Sequence, residues 1–260
     1  MVHEPETSTA GATAGEGGTA QPSTPRDDEE MPLADHIEEM LRRLAVVLVV
    51  MAVVSAPVFY YGDVLINRIW YSFLSANNPP YVYDPLALVL ARLKIASLVG
   101  FVVALPVFVY ETYRFMRPGL YPKERRYYLA AVPTSLVLAL IGVAFAFFLI
   151  LPVIFQYFTT YTEGAAAISF GLTDTFGLMT LLMGVFAVVF QIPLFVMLAI
   201  MMGITTRTWL ATKRLYFWGG FVGIAFLFSP DPTGMAPILV AVTMIGLFEG
   251  TLLLLRWTGS

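Results

Sequence analysis

The chain has 260 residues, 58% of them apolar and 13% charged, with a mean hydropathy of +0.76; these values place it among polytopic membrane proteins and exclude an ordinary soluble class. Its net charge of −3 conceals a division: residues 1–35 carry eight acids against Arg26 alone, a balance of −7 that leaves +4 on residues 36–260. There is no cysteine, and His3 and His36 both lie outside the apolar segments, so thiolate and intramembrane histidine metal sites are excluded.

Residues 1–30 are rich in Gly, Ala, Ser, Thr, Pro and Glu, with no large apolar side chain after Val2. Such a segment cannot offset its ordering entropy by burial, so a disordered acidic tail is expected. It has no apolar core of a secretory signal, and the first span itself would target the chain. Residues 31–257 then form one membrane domain with six apolar segments. HIEEMLRRL (His36–Leu44) leads into the first, Leu44–Tyr61. Between spans 1 and 2, Leu65, Ile66, Ile69, Trp70, Phe73 and Leu74 share one helical face, the pattern of an interfacial or capping helix. Span 2, Leu86–Met116, leads into the basic hairpin YRFMRPGLYPKERR (Tyr113–Arg126), where Pro118-Gly119 marks the turn. Span 3, Tyr127–Leu151, is followed by a loop over 152–171 with an apolar start and the run EGAAA. Span 4 is Leu172–Gly203, span 5 Leu215–Phe228 and span 6 Met235–Leu255.

The expected fold class is therefore an all-α membrane protein with six transmembrane helices. Arg42, Arg43, Arg117, Lys123, Arg125, Arg126, Arg207, Lys213, Arg214 and Arg256 fall on one side of the spans, which places both termini in the cytoplasm by the positive-inside rule. Spans 2 and 4, at about thirty residues or ~45 Å of helix, exceed a ~30 Å hydrocarbon core and must tilt, kink or project. Pro106, Pro133 and Pro193 are the expected kinks. Span 5 has only about fourteen apolar residues, ~21 Å, and needs a thinned bilayer or shielding neighbours.

Two elements at the basic face carry carboxylates: Glu39 in the first junction and Glu124 in the hairpin. Together they point to a receptor for something cationic. Each also has a plainer reading. Glu39 can pair with Arg42 or Arg43 one turn on, for ~0.2–0.5 kcal/mol, and Glu124 can balance charge in its basic loop. Gln191, in the middle of span 4, should face protein or a water-filled concavity, because a buried amide without partners costs a few kcal/mol. Asp231, before span 6, can cap that helix through the Thr233 and Gly234 amides. Glu249 can pair with Arg256 or snorkel to the interface, and Glu111 can pair with Arg114. An intramembrane protease would need a Ser–His pair or two aspartates at membrane depth, and a secondary transporter usually needs midplane charges and broken helices in both halves. Both are disfavoured: no His lies in a span, Asp84, Asp174 and Asp231 sit at span ends, and only Gln191 is polar at the midplane.

HIEEMLRRL, PVFVYETYRFMRPGLYPKERR, FQIP in span 4, SPDP before span 6 and LFE within it resemble, in order, the TatC family over about residues 33–257. That family is the signal-binding core of the twin-arginine protein translocase. The resemblance implies a curved six-span wall capped outside by its first two external loops. It further implies a receptor in the cytoplasmic (inner) membrane of a prokaryote that binds paired-arginine signal peptides of folded cargo. TatA-like and possibly TatB-like single-span subunits, membrane lipid and further copies of the chain are the implied partners, with the proton-motive force as driver. No cofactor, metal, catalysis or nucleic acid is implied. Glu39 and Glu124 fall on the family's acidic positions, and paired guanidinium forks match two carboxylates held at a fixed separation. Phe115 and Tyr121 flank the hairpin and either pack against it or hold the signal's apolar residues. Most of the surrounding cations set orientation and contact anionic headgroups.

Departures from the family pattern are local. Leu41 stands where a basic residue is usual, Gln191 where glutamate is frequent on the concave face, and Met235 near where some relatives carry glutamine. Asp231 matches an external acidic position. The small-residue stripe Gly219, Gly220 and Gly223 in span 5 fits close approach of another helix, and spans 5 and 6 are where the family's small partners associate.

Overall fold

The computed structural model describes residues 33–73, 80–162, 169–228, 231 and 233–257. The acidic tail, the EGAAA run and residues 229, 230 and 232 of SPDP lie outside the described residues. The described residues form helices joined by turns and short irregular connections, with one isolated bridge between Tyr81 and Gly171.

Helix α1 (Leu33–Tyr60) contains the first apolar segment and is followed by α2 (Gly62–Phe73). α2 takes the predicted face: Ile66 and Trp70 are buried, with Leu65, Ile69 and Phe73 packed against the same core. Trp70 stacks over Phe176 with ring centroids 6.1 Å apart, so this amphipathic face covers protein. α3 (Ala87–Met116) packs along α1. After a 3-10 turn (Arg117–Gly119) comes α4 (Pro122–Phe145). Both α3 and α4 run on as single helices through Pro106 and Pro133, where kinks were expected.

At two other prolines the helical hydrogen-bond pattern itself changes. Span 3 does not end at Leu151. A π-turn (Ala146–Ile150) follows α4, with the Leu151 amide donating to the Ala146 carbonyl, and the helix continues as α5 (Leu151–Thr162). Pro152 has no N–H and its ring needs room in the preceding turn; the wider π-turn supplies that room without ending the helix. Span 4 is interrupted. α6 (Leu172–Val189) and α7 (Ile192–Met201) meet at Phe190–Gln191, just before Pro193. α8 (Arg207–Thr212), α9 (Arg214–Phe228) and α10 (Met235–Trp257) complete the chain.

Among the described residues, five stretches are long and apolar enough to cross a membrane: Ile37–Tyr60, Ala87–Gly119, Glu124–Thr162, Leu172–Met201 and Met235–Trp257. Arg214–Phe228 is apolar but shorter, as its sequence predicts. The main core joins α2, α3, α5, α6 and α10. At the α2 end, the Tyr81 amide donates to Phe170 O (3.1 Å) and the Leu172 amide to Tyr81 O (2.9 Å), tying the two long connections together. Arg92 pairs with Asp63, and Lys94 Nζ donates to Thr173 O at 2.8 Å, which fixes α3 to α2 and to the start of α6.

Candidate functional site

The hairpin is built at the opposite end, where α1 begins and α3 turns into α4. Pro118 stops α3, and Tyr121, extended because Pro122 follows it, enters α4 with that proline in the first helical turn. Glu124 Oε2 accepts the Tyr121 amide at 2.8 Å, satisfying a donor that the helix start leaves open. Arg125 donates through Nε to Leu120 O and through its terminal nitrogen to Arg117 O, both at 3.2 Å. Its role is therefore to staple the turn, beyond the lipid contact expected of the loop's cations. Beneath the turn, Tyr113, Leu120 and Tyr128 are buried against Leu194 and Leu198 of α7. The hairpin is thus a fixed platform. On it Glu124 is half-buried and Tyr121 is exposed. Among the described side chains no cation pairs with Glu124.

Glu39 is placed differently. Its Oε1 accepts from Nε of Arg43, one turn along α1, at 3.1 Å, and from the same guanidinium's Nη2. The local pairing foreseen for Glu39 is therefore present. The guanidinium does not stop there. Arg43 Nη1 donates to Glu111 Oε2 on α3 at 3.2 Å, while Arg114 Nη1 reaches Glu111 Oε1 at 3.5 Å. Four charges thus alternate across α1 and α3. Glu111 is the most buried of them, at 7% side-chain exposure, against 17% for Arg43 and 32% for Glu39. Sequence reasoning gave Glu111 only the pair with Arg114; the nearer partner lies 68 positions away. The signal that could have marked it is an acid inside the apolar run PVFVYETYRF. Beside this chain of charges lies a groove of about 340 Å³, walled by Met40, Leu44, Val47, Phe108 and Phe115. The structure therefore sets Phe115 and Arg43 on the wall of this groove, with Glu39 joined to it through Arg43, and holds Glu124 and Tyr121 at the start of α4.

The remaining candidates are structural where the structure places them. Gln191 is 3% exposed, and its Nε2 donates to Ser135 O (3.2 Å) and Ala187 O (3.1 Å). Its main-chain amide takes Val188 O at 2.8 Å in a tightened turn, and the side chain serves the Ala187 carbonyl that this turn passes over. The bond to Ser135 O ties span 4 to α4, so Gln191 faces protein, while the large cavity of about 830 Å³ between α3, α6, α9 and α10 is lined nearby by Val188, Val189 and Ile192. Asp231 does cap α10, through the Thr233 amide (2.8 Å) and the Ala236 amide (2.9 Å), where Gly234 was expected in the second role. Burial alone would raise its pKa; the bonds from Ala236, Thr233 and Met235 outweigh that and hold the carboxyl below its ordinary value. Glu249 accepts from Trp218 Nε1 at 3.1 Å, joining α9 to α10, in place of the expected pair with Arg256.

A family model described as Sec-independent protein translocase protein (TatC) matches residues 35–242. The chain belongs to the TatC family. TatC of Methanocella arvoryzae is 34% identical over 92% of this chain and 99% of its own length. TatCo of Haloferax volcanii is 58% identical over 91% of this chain, which spans only 59% of that longer relative. TatC of Escherichia coli is 26% identical over 85% of this chain and 87% of its own. In fold, the chain is similar to a crystal structure titled as the twin arginine translocase receptor TatC, with a TM-score of 0.74 and 24% identity over 86% of this chain and 100% of that one. TatC proteins are membrane components of a protein translocase and are not enzymes.

Proposed function

We propose that this TatC chain is the receptor and scaffold of a twin-arginine translocase, binding paired-arginine signal peptides at the face that carries Glu39 and Glu124. The observation that carries the reading is Glu124: a half-buried carboxylate on a stapled hairpin, among arginines, yet paired with none of the described ones. Arg125 is spent on carbonyl oxygens. Glu124 therefore keeps acceptor capacity for a guanidinium from outside, held where its helix start fixes it. Glu39 supplies the second acceptor, and the exposed Tyr121 and the groove beside Phe115 offer apolar surface to the residues flanking the arginine pair.

In this reading both termini and the hairpin face the cytoplasm, in the inner membrane of a prokaryote. The bundle crosses six times, with α9 as the short crossing. Single-span TatA-like or TatB-like subunits dock on α9 and α10. There Gly219, Gly220 and Gly223 leave open space, and the α9 side chains Leu215, Tyr216, Leu227 and Phe228 are exposed.

The test is binding of a labelled signal peptide to the full-length protein in detergent, comparing Arg-Arg with Lys-Lys versions. Arg-Arg is expected to bind more tightly, and Glu124→Ala to cost roughly tenfold or more, the loss of a charge-assisted bond. Equal binding of both peptides, or an unaffected Glu124→Ala/Glu39→Ala double variant, would refute the site.

A further inference from the structure

Arg43 occupies the position at Glu39 that a ligand guanidinium would need. Its Nε and Nη2 both lie on Glu39 Oε1, and its Nη1 lies on Glu111 Oε2 at 3.2 Å. We propose that Arg43 is a resident competitor for the signal arginine at Glu39, and that Glu111 is the carboxylate onto which Arg43 withdraws when the signal arrives. This rests on the reading of Glu39 as a signal-binding residue.

Three features support the exchange. First, Glu111 has unused capacity. A carboxylate offers about four lone-pair sites, and Glu111 fills two of them with contacts of 3.2 and 3.5 Å, although its side chain is only 7% exposed. A buried charge so loosely partnered gains from a closer guanidinium. Second, no charge is stranded. As the ligand arginine takes Glu39, Arg43 turns fully towards Glu111, and the number of ion pairs does not fall. Third, there is room. The groove of about 340 Å³ opens beside both Arg43 and Glu111, between Met40 and Leu44 of α1 and Phe108 and Phe115 of α3. Because Arg43 already bridges two carboxylates, the side-chain movement needed is a redistribution of its donors, with no shift of either helix.

The exchange also sharpens selectivity. A competing fork at Glu39 must be displaced by an equal fork. A lysine ammonium is a point charge on a flexible stem and substitutes poorly for it. The resident arginine thus raises the threshold for lysine more than for arginine.

Opposite effects from two variants test the proposal, read as Arg-Arg and Lys-Lys peptide affinity on the full-length protein. Glu111→Gln removes the place of withdrawal and is expected to weaken Arg-Arg binding roughly tenfold. Arg43→Gln removes the competitor and is expected to tighten Arg-Arg binding and to narrow the Arg-over-Lys preference. Arg43→Lys, which keeps the cation without the fork, should move affinity the same way and serves if Arg43→Gln does not fold. A role limited to helix packing would weaken binding in both variants together; that result, or no change in either, overturns the exchange while leaving the site intact, provided Glu39→Ala loses binding. Full binding by Glu39→Ala overturns the Glu39 assignment and the exchange with it, whereas Glu124→Ala reports on the receptor reading independently.

Discussion

Glycines divide this molecule into two halves with opposite uses. A methyl group on Gly142 of α4 would lie 2.4 Å from the carbonyl oxygen of Phe186 on α6, and one on Gly100 of α3 would lie 2.2 Å from Ser55 Oγ and 2.6 Å from the Met51 carbonyl oxygen on α1. At Gly219, Gly220 and Gly223 of α9, a methyl would meet nothing within 4 Å. The first set has been consumed in helix contacts; the second is presented outward. In a bilayer, where lipid is as apolar as leucine, small residues bring helices together by letting backbones approach. The same residue type therefore marks a contact already made in α1–α3–α4–α6 and a contact left open on α9. Of α9's residues only Ala225 is buried.

The largest effect should come from filling the closed half. Gly142→Ala puts a methyl against main-chain atoms of α6, which cannot rotate away, so about 1–3 kcal/mol of destabilisation is expected, the range for overpacking. A thermal melt in detergent reads it directly. An unchanged Tm would mean that α4 and α6 separate easily, and the distinction between the two halves would fail. The consequence would reach the proposed signal-binding face too. Gly142 and Ser135 lie on the same helix whose first turn carries Glu124, so a displaced α4 moves the hairpin platform.

How much of this was legible beforehand depends on whether the determinant is local. The α2 face, the Pro193 break and the α10 cap follow from periodicity, a missing N–H and a capping carboxylate within a few residues, and all three stand in the structure. The hairpin residues were legible because the turn, the prolines and Glu124 are adjacent in sequence. The partner of Glu111 was not, since Arg43 lies 68 residues earlier and the local Arg114 offered a plausible substitute. Span 3 was ended at Leu151, where the apolar run gives no sign that a π-turn carries the helix on past Pro152 to Thr162. Gln191 could be read as a residue needing a partner, but its partners depend on which face of α4 it meets.

Between the two halves lies the α9–α10 junction, where Asp231 is expected to give the intermediate effect. It holds the first turn of α10 through two amides and the Thr233 hydroxyl. Asp231→Ala should lower stability by about 1 kcal/mol, the usual worth of a cap. The sign of its pH dependence follows from the lowered folded pKa. The contribution is fully present above the ordinary value of 3.8 and is lost as pH falls through the lower folded value. The gap in Tm between the wild type and Asp231→Ala should therefore hold at pH 5 and above and close only in stronger acid. A gap that closes near pH 6 would mean the carboxyl is not held in its ionised form by these bonds.

The smallest effect on stability should come from the open half, and it is the most informative there. Gly220→Ala adds a methyl to a helix surface with no neighbour in reach, and alanine is the better helix former by up to ~1 kcal/mol. Tm should stay level or rise slightly, the reverse of Gly142→Ala. If α9 is the docking face for a single-span partner, the same methyl separates two backbones that would otherwise touch, and co-purification of the partner should fall while signal-peptide binding is retained. A loss of Tm would show that α9 already makes a close contact within the bundle. A stable variant that keeps its partner would place the partner elsewhere and leave the α9 glycines as a consequence of the helix's shortness alone.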